Sequence, residues 1–184
     1  MNDFERGFLI GSTADASVYQ RKKGEYIIEW EQKNREWLEK IKEIAGKGRI
    51  RKTSAGYWRL VIYSKKIYMD HYLTFSEIEK ILQASIEFKK GFIRGLFDAE
   101  GSVHASRFQI RIFCCIEEIL EIVSKILKED FGIKSTVSRA TKNEFSDVFA
   151  LCIYSKREIR KFLEKIGSFH PEKVKKLKKL LRSP

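Results

Sequence analysis

Residues 7–18 read GFLIGSTADASV and residues 91–103 read GFIRGLFDAEGSV. Each is a mostly apolar run containing glycine, followed by an acid, a small residue, serine and valine. Aligned on ADASV (14–18) and AEGSV (99–103), the acids Asp15 and Glu100 are equivalent at an offset of 85. A second echo follows: residues 62–66 read IYSKK and residues 153–157 read IYSKR, an offset of 91. Common order and near-constant spacing identify an internal duplication. The six extra residues are expected in the surface loop near Ala140–Asp147, where insertions are cheap.

Both halves, 1–88 and 89–184, support one element order. Phe4–Ala14 and Lys89–Ala99 read as short apolar helices. Ser17–Lys22 and Glu25–Glu31 read as a hairpin turned by RKKG (21–24), and Val103–Ser106 and Phe108–Phe113 as its counterpart. Residues 34–45 form an amphipathic helix with Trp37, Ile41 and Ile44 on one face and Asn34 as N-cap. Glu117–Glu129 repeats it, with Leu120, Val123 and Leu127 inward and Gly132 suited to a left-handed cap. Arg49–Thr53, Tyr57–Tyr63, Lys134–Arg139 and Val148–Tyr154 complete the strands. Glu77–Ile86, Lys156–Ile166 and Glu172–Leu181 read as helices. The expectation is an α+β fold: αββαββα twice, giving two four-stranded antiparallel sheets with helices on one face of each.

The 184 residues suit one moderate domain or two small ones sharing a core, which excludes a large multidomain enzyme. The net charge of +12, from 37 basic and 25 acidic residues, favours a polyanionic partner. Residues 1–88 hold +3 of it and residues 89–184 hold +9, much of it in EKVKKLKKLLR (172–182). There Lys175 and Lys178 are candidate phosphate contacts. Cys114, Cys115 and Cys152 cannot all pair and have no metal-ligand spacing, so they read as small buried residues in a reducing compartment. No apolar run is long enough for a membrane span and no signal-peptide layout is present, so a soluble, intracellular protein is expected.

The sheet faces away from the helices are polar. Leu60 and Ile62 alternate with Arg59, Val61 and Tyr63; Ile110 and Ile112 alternate with Gln109 and Arg111. Arg59, Gln109 and Arg111 are therefore candidate DNA contacts, since a two-stranded ribbon fits a major groove. The glycines and alanines of the two apolar helices (Gly11, Ala14, Gly95, Ala99) permit close approach, so Asp15 and Glu100 would emerge together. An acid at a helix C-terminus is unfavourable, and two side by side repel. A hard divalent cation relieves both, with Mg²⁺ the natural choice beside phosphate.

Residues 93–101 (IRGLFDAEG) resemble the LAGLIDADG signature of homing endonucleases and intron maturases. Residues 8–16 (FLIGSTADA) resemble it in degenerate form: the acid is kept, Ala16 replaces the last glycine, and Gly11 falls one place late. A rival register through Gly7 would place Ser12 at the metal position; the downstream match of ADASV to AEGSV favours Asp15. The resemblance implies a monomeric pseudo-dimer whose motif helices lie at the centre and whose sheets form a saddle over double-stranded DNA. It implies a site-specific endonuclease that cuts both strands and leaves short 3′ overhangs. Asp15 and Glu100 become metal ligands for Mg²⁺, for which Mn²⁺ is able to substitute. Gln32 and Lys33 resemble the polar and basic pair after the second strand, positioned to order water and stabilise phosphorane charge. The matching stretch of the second half has Cys114 and Cys115 instead, with Arg111 near enough in sequence to compensate. An intron RNA maturase and a cleavage-inactive DNA-binding relative are the alternatives. Among the histidines, His104 is placed to reach the site or DNA backbone, and His71 and His170 read as surface residues. Trp30, Trp37 and Trp58 read as packing groups; Tyr19, Tyr57 and Tyr63 fit either packing or base stacking.

Overall fold

The computed structural model describes residues 1–21, 24–142 and 147–182, with Lys142 described by its backbone alone. The elements are α1 (Asp3–Ser12) with a 3₁₀ turn (Thr13–Asp15), β1 (Ala16–Gln20), β2 (Tyr26–Gln32), α2 (Arg35–Ala45), β3 (Arg49–Lys52), β4 (Trp58–Tyr63) and α3 (Lys65–Ser76). The second set is α4 (Ile86–Glu100), β5 (Gly101–His104), β6 (Gln109–Cys114), α5 (Glu117–Glu129), β7 (Thr136–Lys142), β8 (Asp147–Tyr154), α6 (Lys156–Lys165) and α7 (Pro171–Arg182). The strand orders β1-β2-β4-β3 and β5-β6-β8-β7 are the same antiparallel topology twice. The division drawn after residue 88 falls in the first turn of α4.

Paired glycines fix the centre. Gly7 and Gly11 share one face of α1, and Gly91 and Gly95 share one face of α4. A Cβ at Gly11 would lie 2.1 Å from Phe92 O, and one at Gly95 would lie 2.2 Å from Phe8 O. Backbone therefore rests on backbone, and no larger residue fits. Each sheet packs one face on its own helices, α2 and α3 or α5 and α6. Ile28, Trp30, Leu60 and Ile62, and likewise Ile110, Ile112, Leu151 and Ile153, are buried there.

Several local signals act as read. Asn34 Oδ1 accepts from Trp37 N at 2.9 Å, and Gly132 adopts φ 64° after α5. Other expectations need correction. Residues 77–86 are not one α-helix: Ile78–Gln83 is a 3₁₀ helix, Ile86 opens α4, and the third α-helix of the first half is α3, earlier in the chain. Only Ile67 of α3 is buried, so its apolar residues follow no single stripe. Its start was nonetheless encoded: Ser64 and Ser155, the serines of the repeated IYSK, are N-caps of α3 and α6.

The six extra residues are not one insertion. Strand pairing equates Ala16 with Gly101, Trp30 with Ile112, Arg51 with Ser138 and Leu60 with Leu151. The offset thus falls from 85 to 82 across the first hairpin, rises to 87 by β7 and reaches 91 by β8. Only four of the residues gained belong to the β7–β8 connection, part of which (143–146) lies outside the described residues. Lys22 and Lys23 of the expected hairpin turn also lie outside them.

His71 and His170 are not surface groups. His71 Nδ1 is 2.7 Å from Thr13 Oγ1. His170 is 8% exposed beside Trp37, with ring centroids 5.8 Å apart. Burial holds both histidines below their ordinary pKa, His170 at about 4. Among the cysteines, Cys152 is buried, Cys114 is half-buried and Cys115 is exposed, against the expectation that all three are interior. Trp30 and Trp37 are fully buried, whereas Trp58 is half-buried with Arg35 4.7 Å over its ring. Tyr63 is exposed, the Tyr19 hydroxyl is 3.4 Å from Glu29, and Tyr57 lies beneath Lys33.

Candidate active site

The late glycine of the first motif has a structural answer. Gly95 precedes Glu100 by five residues, but Gly11 precedes Asp15 by only four. The end of α4 is α-helical, whereas Thr13–Asp15 winds as 3₁₀. Five α steps rise about 7.5 Å; one α step and three 3₁₀ steps also rise about 7.5 Å. The tighter turn absorbs the missing residue, and the rotation differs by only about 40°. Asp15 and Glu100 each stand one residue before a first strand, at equivalent heights. Ser12 is fully buried and its hydroxyl donates to Leu9 O at 2.8 Å, so it is turned away from this place.

The carboxylates lie within reach of each other's charge. Burial raises the pKa of both; the charge of Asp15 raises that of Glu100 further, and Lys173 opposes the rise at both. The Gln32 side-chain amide donates to the Asp15 carboxylate. Gln32 stands at the end of β2, and its counterpart by strand pairing is Cys114 at the end of β6. Cys114 lines a cleft with Ala14, Glu100, Phe113, Cys115 and Val148. Burial, and to a lesser degree Cys115 and Glu100, hold its thiol above the usual range. A second cleft, lined by Ala14, Asp15, Ala16, Ser17, Glu29, Glu31 and Arg59, meets the first at Ala14. Two carboxylates and a glutamine carbonyl are hard oxygen donors, which suits Mg²⁺ or Mn²⁺ rather than a soft metal.

Lys33 is exposed, with its ammonium 5.5 Å from the Tyr57 ring centroid. Arg59 lies on the outer sheet face, Nε 2.8 Å from Glu31 Oε2 and 3.0 Å from Glu29 Oε1. Gln109 also faces outward, but at 3% exposure it is buried, and Tyr154 is a hydrogen-bond partner. Its expected role as an open base reader is therefore corrected. Arg111 sits between Ser102 and Cys152, and its Nε–H is buried without an acceptor among the described residues. Its charge reaches His104, whose Nε2 is 3.2 Å from Ser102 Oγ. Lys175 and Lys178 are exposed and line a groove with Pro171, Val174, Lys179 and Arg182. The α7 lysine whose charge reaches His104 is Lys176.

Two buried charged positions near the acids escaped the sequence. Asp98, 1% exposed, accepts from Phe169 N at 2.8 Å and from the Ser168 hydroxyl. Burial lifts its pKa to about 6. It clamps the segment that opens α7, and Lys173 of α7 then donates to Phe97 O at 2.8 Å and Asp98 O at 2.7 Å. Burial lowers the Lys173 pKa to about 8 against the pull of Asp98, Glu100 and Asp15. Spacing along the chain does not reveal that α7 returns to the motif helix.

Residues 87–167 match the LAGLIDADG-like domain model. Homing endonuclease I-ApeI of Aeropyrum pernix is 28% identical over all of this chain and 90% of its own length. The second half thus matches a LAGLIDADG-like domain, and the chain as a whole is similar to a homing endonuclease. The I-DmoI structure in complex with DNA and Mn overlays with a TM-score of 0.66 at 24% identity, covering 90% of this chain and 97% of that one. I-WcaI bound to its DNA recognition sequence overlays at 0.65 and 15% identity, over 96% and 86%. These likenesses carry the LAGLIDADG fold across both halves, including the first, which lies outside the matched domain model. Among the described residues no helix is long and apolar enough to cross a membrane.

Proposed function

We propose that this protein is a site-specific double-strand DNA homing endonuclease that hydrolyses phosphodiester bonds and leaves short 3′ overhangs. The supporting observation is the delivery of Asp15 and Glu100 to one place by two helices whose backbones touch. The LAGLIDADG relatives with bound DNA favour the same reading. Halves 1–88 and 89–184 each contribute one acid, so a monomer is sufficient.

Asp15 and Glu100 would hold the divalent cation, Mg²⁺ or Mn²⁺. Such a cation, when bound, neutralises charge at the scissile phosphate and acidifies a water. Gln32 fixes the Asp15 carboxylate and leaves its own carbonyl free to order water. Lys33, at the exposed end of the same strand, stabilises developing phosphorane charge. The second half offers the Cys114 and Cys115 thiols instead, which are weak donors without positive charge. The two strands are therefore cut at unequal rates. Arg59 and Arg111 read base edges from the outer faces, and the unsatisfied Nε–H of Arg111 is stabilised by a DNA acceptor. Lys175 and Lys178 contact phosphates.

The test is incubation with a randomised long-duplex library and Mg²⁺, followed by sequencing of the ends. A single long consensus with 3′ overhangs is expected. Absence of cutting with both Mg²⁺ and Mn²⁺ contradicts the reading.

A further inference from the structure

The two motif helices end differently. In the first half, Trp30 Nε1 donates to Ser12 O at 2.9 Å. The carbonyls at the end of α4 include Phe97 O and Asp98 O, and the residue in the place of Trp30 is Ile112, which has no donor. Lys173 fills the role from α7, donating to Phe97 O and to Asp98 O. Neither α1 nor α4 carries a basic residue in its last turn. A neutral cap thus closes one helix and a cation closes the other.

That cation lies in the field of three acids. Asp98, Glu100 and Asp15 all act on Lys173, while Lys176 is the opposing positive charge. Asp98 is already committed to Ser168 and Phe169. Among the described residues Glu100 has no side-chain hydrogen-bond partner comparable to Gln32 in its own half. A lysine bonded to two carbonyls is held in a fixed position, unlike a solvated surface lysine.

We propose that Lys173 is a positioning residue of the acid pair: it is the internal counter-charge that keeps Asp15 and Glu100 together before metal binds. The proposal rests on the reading of these acids as the metal site. Its consequence is an electrostatic competition, in which the same charge that holds the apo site together weakens metal binding.

The test uses the full chain without DNA. Lys173→Gln keeps a donor for the carbonyls and removes the charge; Lys173→Arg keeps the charge. In EDTA, thermal stability is measured for Lys173→Gln, Glu100→Gln and the double variant. Glu100→Gln should recover stability in the Lys173→Gln background and not in the wild type, because it relieves the unopposed carboxylate pair. Mn²⁺ titration should show Lys173→Gln binding about tenfold tighter than wild type, on the order expected for removing one nearby charge. Lys173→Arg should remain near wild type in both. Additive stabilities overturn the counter-charge role, as does unchanged or weaker Mn²⁺ binding by a folded Lys173→Gln. Non-additive stabilities with no Mn²⁺ binding by any variant, wild type included, instead overturn the metal-site reading.

Discussion

Asp15 and Glu100 have opposite consequences for catalysis and for folding. Burial raises both pKa values, so on acidification each protonates earlier than a free carboxylate and stops competing for metal. The acid limb of the cleavage profile should therefore lie above the ordinary carboxylate range of about 4 to 4.5. In the metal-free protein the sign reverses: a raised folded pKa means stability falls as pH rises from the unfolded value through the raised one. Strand-resolved rates and urea unfolding across pH 4 to 8 measure the two separately. Lys33→Met should slow cutting of one strand by tenfold or more, about the size of a lost charge-assisted contact, while Cys115→Ser changes neither strand appreciably. Equal, negligible effects would return Lys33 to the surface. The acids were legible because duplication fixed their register, and Gln32 because the resemblance places a polar residue after the second strand. Lys173 and Asp98 were not, because about 70 residues separate the end of α4 from α7 and the segment that opens it, which have no repeat counterpart.

At the scale of the element, the motif helices depend on paired glycines. Gly95→Ala places a Cβ 2.2 Å from Phe8 O, a contact with backbone that no rotamer relieves. It should cost about 2–3 kcal/mol or more, whereas Gly56→Ser, with nothing within 4 Å, meets no neighbour despite its positive φ. Urea unfolding ranks them; a Gly95→Ala protein as stable as wild type would contradict the helix contact. Strands and the amphipathic helices α2 and α5 were readable from alternation and spacing. The helix α3 was not, since Tyr68, Met69, Tyr72 and Leu73 remain partly exposed and blur the 3.6-residue stripe. The 3₁₀ end of α1 was also hidden. A one-residue deletion looks like decay in a sequence and becomes a tighter turn in three dimensions.

For the whole molecule, the +9 of the second half against the +3 of the first predicts asymmetric DNA contact. Arg59 is shared with Glu29 and Glu31, while among the described residues Arg111 has no acid partner. Binding should fall steeply with salt, by about one power of salt concentration per phosphate neutralised. Arg111→Ala should lower the cognate-to-random ratio, and Lys175→Ala or Lys178→Ala should weaken both alike. A ratio indifferent to Arg111 would remove it from the reading face.

The most direct measurement compares wild type, Asp15→Asn and Glu100→Gln on an end-labelled cognate duplex, with binding measured in parallel in the same buffer. The acid pair predicts that each substitution abolishes Mg²⁺-dependent cutting while affinity stays within a few-fold, because a metal ligand is lost and no phosphate contact is. An Asp15→Asn protein that cuts both strands at the wild-type rate would contradict it.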